Sequence, residues 1–171
     1  MSKAPGKQFE SSFVESIPKR CDFTRLKDAG GWSKSEDLRF TIKNPCDMIV
    51  FSGSREQGVS AVMYKLELKS CLKRSLPYAN IKPKTAQWSS LDNSIKFVKA
   101  LVESESKGVW AGFVVNFRDY NQTYRVLASA VLLHLQTESR KSIPLEWFQE
   151  HGTLIKQTLK KVHYRYDLEW M

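Results

Sequence analysis

The clearest alternation of apolar and polar positions lies in residues 44–71. Met48-Ile49-Val50-Phe51 and Val62–Cys71 are strand-length segments joined by Ser52-Gly53-Ser54-Arg55-Glu56-Gln57-Gly58, a connection rich in turn formers. This pattern predicts an antiparallel hairpin. Successive strand side chains point to opposite faces, so Val62, Tyr64, Leu66 and Leu68 share an apolar face, while Met63, Lys65, Glu67 and Lys69 share a polar one.

The flanking pattern is helical. Phe9, Phe13, Val14 and Ile17 fall on one helical face that Pro18 ends. Residues 21–43 are polar and charged around Gly30-Gly31, with a short strand predicted at 38–42 and the remainder read as a loop or protrusion. Thr85 is placed to cap a helix whose apolar positions Trp88, Leu91, Ile95, Val98, Leu101 and Val102 recur at threes and fours. Gly108 then opens Val109–Phe117, a continuous apolar run of strand length that predicts a central buried strand. A strand at 123–127 follows, then a short apolar run at 128–136 compatible with a helix or with further strand. Near the end, Ser142 is the expected cap of a helix with Pro144 in its first turn and Gly152 just beyond it. Helices interleaved with strands predict an α/β domain with a mixed sheet flanked by helices, and a length of 171 residues fits one domain over 1–171.

Charge changes the picture next. Lysine and arginine outnumber aspartate and glutamate 27 to 18, a net charge of +9, which favours a polyanionic partner such as nucleic acid. An anionic membrane surface is the competing partner. However, there is no clear basic amphipathic helix, lipidation signal, spanning run or signal-peptide core, so a soluble intracellular protein without membrane association is expected. Cys21, Cys46 and Cys71 form no CxxC pair and are expected as free buried thiols. His134, His151 and His163 are scattered and expected to be structural or exposed.

The predicted hairpin brings Asp47 toward Glu67 and Lys69, placing two carboxylates and an ammonium in one small volume. Asp followed about twenty residues later by Glu-x-Lys at a strand end resembles the PD-(D/E)xK nuclease superfamily. The chemistry is intelligible: two carboxylates are hard oxygen ligands for Mg²⁺, and a lysine two residues along the strand can stabilise a phosphoryl transition state or orient water. The alternative is a solvated hairpin face. Lys73, Arg74, Lys82 and Lys84 follow within fifteen residues of Lys69 and are placed to neutralise neighbouring phosphates. Lys156, Lys160, Lys161, His163 and Arg165 form a second basic concentration, either a solvated helix face or a nucleic-acid contact. Glu10 in the first helical turn suits the helix dipole, or a site near Asp47.

Spaced local matches extend the resemblance. Gly6-Lys7-Gln8-Phe9-Glu10, Cys46-Asp47, Glu67-Leu68-Lys69, Ser75-Leu76-Pro77 leading to Asn80, Gln87, the apolar strand through Phe117 and Arg140-Lys141-Ser142-Ile143 together resemble the RecU family of Holliday junction resolvases of Gram-positive bacteria and their phages. The resemblance implies a restriction-endonuclease-like core and a homodimeric, Mg²⁺-dependent endonuclease (Mn²⁺ substituting) that nicks four-way DNA junctions symmetrically in the bacterial cytoplasm. It implies Asp47, Glu67 and the Leu68 backbone carbonyl as metal ligands, Lys69 as catalytic lysine, Glu10 and Gln87 as supporting site residues, and Arg140 and Lys141 beside Lys73, Arg74, Lys82 and Lys84 on DNA. Two departures stand out: Pro45-Cys46 precedes Asp47 where the family has a hydroxylic residue, and the family's stalk must be built from 22–43, as a shortened stalk or a loop insertion. The alternatives are a flap, end-processing or restriction-like nuclease of the same superfamily, or a non-catalytic nucleic-acid-binding protein.

Overall fold

The computed structural model describes residues 5–26, 44–53, 61–81, 91–161 and 163–171. The strand expected at 38–42, the Thr85 cap, and Lys82, Lys84 and Gln87 lie outside them. Helix α1 (Pro5–Val14) precedes strands β1 (Cys21–Arg25), β2 (Met48–Ser52), β3 (Val62–Cys71) and β4 (Ser75–Pro77). Then come α2 (Leu91–Glu105), β5 (Trp110–Phe117), β6 (Gln122–Leu127), α3 (Ala128–Thr137), β7 (Ser142–Pro144), α4 (Leu145–His151) and β8 to β10 (Thr153–Ile155, Gln157–Lys160, His163–Tyr166).

The main sheet has six strands in the order β1-β2-β3-β5-β6-β8. The expected hairpin forms, with Met48 opposite Leu66 and Val50 opposite Tyr64. β3 and β5 are parallel neighbours joined through α2, and every other pairing in the sheet is antiparallel. This is the mixed α/β architecture that the element order predicts.

Apolar periodicity explains the layering. On one face Phe113, Val115 and Phe117 pack with Val98 and Leu101 of α2, Val131 and Leu135 of α3 and Phe148 of α4. On the other, Met48, Val50, Leu66, Leu68 and Val114 pack with Phe9 and Phe13 of α1 and with Tyr166 and Leu168. β5 is apolar except for Asn116 because both of its faces are covered. The same sandwiching corrects one expectation. The face of β3 carrying Lys65 and Glu67 is no solvated surface: Lys65 Nζ reaches Ser104 Oγ of α2 at 2.9 Å, and Glu67 is buried.

Three further differences have physical causes. Cys21–Arg25, within the segment expected as loop, is an edge strand on β2, and its exposure explains the absence of an apolar pattern. That leaves 27–43 for any stalk, and those residues lie outside the described set. Ser142 caps nothing: it belongs to β7, where Ile143 is fully buried opposite Leu76, and α4 begins at Leu145 with Pro144 at its N-cap. The basic tail is not helical. Its β9–β10 hairpin leaves Lys160, Lys161, His163 and Arg165 exposed. All three cysteines are free, with Cys46 and Cys71 buried. Among the described residues no helix is long and apolar enough to cross a membrane.

Backbones crowd most where β5 meets β6. A Cβ on Gly112 would lie 2.1 Å from the Val126 carbonyl oxygen, a contact that only strand displacement could relieve. Gly112→Ala is expected to destabilise the fold by about 1–3 kcal/mol, lowering Tm by roughly 3–10 °C in a thermal melt. An unchanged Tm would show that the two strands are not held this closely.

Candidate active site

The site grows from a mismatch in strand length. β2 begins at Met48, opposite Leu66, so β3 runs beyond it toward Cys71. The Leu68 N–H therefore finds no main-chain partner in β2, and Asp47 Oδ2 accepts it instead at 2.9 Å. The Asp47 carbonyl also accepts the Leu26 N–H at 3.0 Å, just past the end of β1. Asp47 is thus tied to strands on both sides, and its carboxylate is fixed beside the Glu67-Leu68-Lys69 step.

Glu67 is 2% exposed and forms an ion pair with Lys69 through Oε1. Burial pushes its carboxyl up to about 7; Lys69 opposes that rise, and the nearby Asp47 charge adds to it. Burial also pulls Lys69 down, but the combined attraction of Glu67, Asp47 and Glu10 leaves its ammonium above the ordinary lysine value. Glu10 reaches this volume from α1 and pairs with Arg25 of β1. Asp47, Glu67, Lys69 and Glu10 therefore converge, although they come from three separate stretches of chain. Cys46 sits against them, its thiol pushed up to about 12 by burial and by Glu67.

The donor set consists of hard oxygens. Two neighbouring carboxylates share one ammonium, an arrangement under-neutralised by one charge. Among the described residues no three His, Cys, Asp or Glu side chains form a metal cage. The set therefore fits a cation that binds through one or two carboxylates and keeps several waters, rather than one that demands a closed shell. A strand residue's N–H and C=O leave on the same side, so the Leu68 carbonyl lies on the Asp47 side and can complete such a set.

Of the basic residues expected nearby, Lys73, Arg74, Arg140 and Lys141 are exposed, and the short antiparallel β4–β7 ladder places the two pairs at its opposite ends. Leu145 N–H donates to the Arg74 carbonyl at 2.8 Å, and Tyr78 N–H donates to the Lys141 carbonyl at 3.0 Å. Arg74 is partly neutralised by Glu146 of α4. The sequence reading overlooked Arg25, which holds Glu10, and Arg118, which follows the apolar run of β5 directly. The signal for Arg118 was available: a charge immediately after a central strand sits at the carboxyl end of the sheet, where α/β folds bind ligands.

No family model matches the chain, and no curated protein matches it significantly. Among solved structures it resembles Hjc of Archaeoglobus fulgidus, a Holliday junction resolvase from an archaeal hyperthermophile, with 16% identity and a TM-score of 0.46. The alignment covers 86% of this chain and 93% of that one.

The opposing influences on Glu67 have testable signs. Its side-chain carboxyl ¹³C resonance should titrate with a midpoint near 7 in metal-free buffer. Lys69→Met should raise the midpoint by removing an attraction, and Asp47→Asn should lower it by removing a repulsion. Because the folded-state value lies above the ordinary one, this group's contribution to stability is complete below about pH 4.5 and is lost as pH rises through about 7. A midpoint near 4.5 in all three proteins would contradict the burial.

Proposed function

We propose that the chain is a divalent-cation-dependent DNA endonuclease of the PD-(D/E)xK type, acting on branched DNA. One observation carries this reading: Asp47 and Glu67 share a volume with the buried Lys69 at the end of β3. A net charge of +9 and the exposed Lys73, Arg74, Arg140 and Lys141 support a polyanionic substrate.

Asp47, Glu67 and the Leu68 carbonyl would hold Mg²⁺, or Mn²⁺ in its place. When bound, such an ion clamps the phosphodiester and lowers the pKa of the attacking water. The remaining work falls to the protein. Asp47 is oriented by the Leu68 N–H before any substrate arrives, so little reorganisation accompanies reaction. Lys69, held protonated by Glu67, keeps two of its three N–H donors for the phosphate oxygens on which negative charge grows as water adds to phosphorus. Glu10 steadies Lys69 electrostatically while Arg25 fixes Glu10. Gln87 is a further supporting residue in this proposal, and Lys73, Arg74, Lys82, Lys84, Arg140 and Lys141 bind the DNA arms.

Selectivity for four-way junctions, symmetric nicking by a homodimer and action in the bacterial cytoplasm are parts of the proposal that rest on the RecU resemblance. Two like-polarity cuts need two equivalent centres, and a two-fold dimer supplies them.

The test is a cleavage panel of linear duplex, flap and four-way junction DNA with Mg²⁺. The junction should be cut in preference, at paired positions. Asp47→Asn and Glu67→Gln should bind it normally and cut on the order of 10³-fold more slowly, and Lys69→Met roughly 10²–10³-fold more slowly. Preference for flaps or ends would move the chain to another nuclease of the same type. Binding without cutting of any substrate, with no calorimetric response to Mg²⁺ or Mn²⁺, would make it a binding protein.

A further inference from the structure

A second cleft, of about 190 Å³, opens between the first turns of α1, the carboxyl end of β5 and the β9–β10 hairpin. At about 30 Å³ per water it has room for roughly six, the size of a phosphate with its esterified oxygens rather than a whole nucleotide. Phe9 and Tyr166 give it apolar walls. Its polar lining includes Ser12, Asn116, Arg118, Asn121 and Tyr164, and no carboxylate is among the lining residues. Among the described residues Arg118 is the cleft's sole lining cation.

Arg118 lacks the partners that a guanidinium usually has. Its Nε is shielded from solvent with no hydrogen-bond partner, and none of the ion pairs among the described residues includes it. A permanently charged donor in that condition is unfavourable unless an acceptor arrives. The neighbouring amides are already oriented. Asn121, in the left-handed conformation at φ 50°, closes the turn that Arg118 opens. Its Oδ1 accepts from Tyr164 Oη at 2.6 Å, which leaves its amino group as a donor. Asn116 donates to Thr123 Oγ1 at 2.9 Å, and Thr123 donates in turn to Gln157 Oε1 at 2.6 Å.

The cleft is coupled to the proposed catalytic strand. Ser70, the residue after Lys69, pairs with Asn116 in the β3–β5 ladder and donates to its Oδ1 at 3.4 Å. The Arg118 charge is also felt at Cys71, two residues beyond Lys69. Both features lie at the same end of β3 and β5, the cleft on the α1 face of the sheet and the Glu67 and Lys69 side chains on the opposite face.

We propose that this cleft is a phosphate subsite, in which Arg118 and the Asn121 amide receive a backbone phosphate of bound DNA beside the one at Asp47, Glu67 and Lys69. The placement relative to a scissile phosphate rests on the nuclease reading; the anion chemistry does not. Free phosphate shares that chemistry, so both sources enter the test.

The experiment uses the full chain without divalent cations. The Arg118 Nε–Hε resonance is followed by ¹⁵N NMR during titration with a short DNA duplex and, separately, with inorganic phosphate. Duplex affinity is measured against salt for wild type, Arg118→Gln and Arg118→Lys. The duplex should shift the resonance saturably. Arg118→Gln should lower the slope of log Kd against log salt by about 0.9 and weaken binding about eightfold at 0.1 M salt, the loss of one phosphate contact, while Arg118→Lys keeps the slope. An Arg118→Gln protein with wild-type affinity and slope overturns the proposal. So does a resonance that answers inorganic phosphate but not duplex. If wild type binds DNA and never cuts it, the nuclease reading falls while the Arg118 result stands; if cutting persists with an Arg118→Gln protein that binds normally, the reverse holds.

Discussion

Burying a carboxylate without neutralising it is among the least favourable things a fold can do, and the arrangement around Glu67 is a response to that constraint. Glu67 is buried next to Asp47, where both desolvation and like charge favour its protonated form. Lys69 on the same strand face is the counterweight, and it keeps its own proton because the acids around it outweigh its desolvation. Removing Lys69 leaves two neighbouring carboxylates without a counter-charge, whereas removing Asp47 or Glu67 leaves the ammonium with one carboxylate. The pair and its neighbour behave as a unit, and further positive charge is the natural complement to it.

The scaffold positions this unit through strand ends rather than loops. β2 starts one residue after Asp47, so the aspartate side chain takes the place that main chain would occupy opposite Leu68. β1 extends the grip through Leu26. Beyond β3 the chain turns into β4, which pairs with β7 in a separate two-stranded sheet, with residues 73–74 at one end of that ladder and 140–141 at the other.

Much of this was legible in the sequence, for identifiable reasons. The hairpin, the buried strand through Phe117 and the helix after Leu127 follow from apolar spacing, because burial on one or two faces decides those elements. Asp47, Glu67 and Lys69 were found because carboxylates and lysine at that spacing have a chemical use. The burial of Glu67 was not legible: Lys65-x-Glu67-x-Lys69 looks like a solvated face, and its burial is a tertiary event. β1 and the β9–β10 hairpin escaped because exposed edge strands carry no apolar alternation. Ser142 misled because serine two residues before proline matches a helix start, while the deciding fact is that Ile143 pairs across to Leu76. Arg118 could have been noticed from its place directly after the buried strand, but its want of a partner among the described residues is displayed only by the coordinates.

The parallel pairing of β3 with β5 has a consequence for how the molecule assembles. Ser70 faces Asn116 across that ladder, and the intervening chain must first loop out through α2 before the two strands can meet. Contacts between such distant residues form slowly, because closing the long loop comes before any gain from pairing. The wall beside Arg118 comes into being with that step, so the cleft it lines exists only once the β3–β5 ladder has closed.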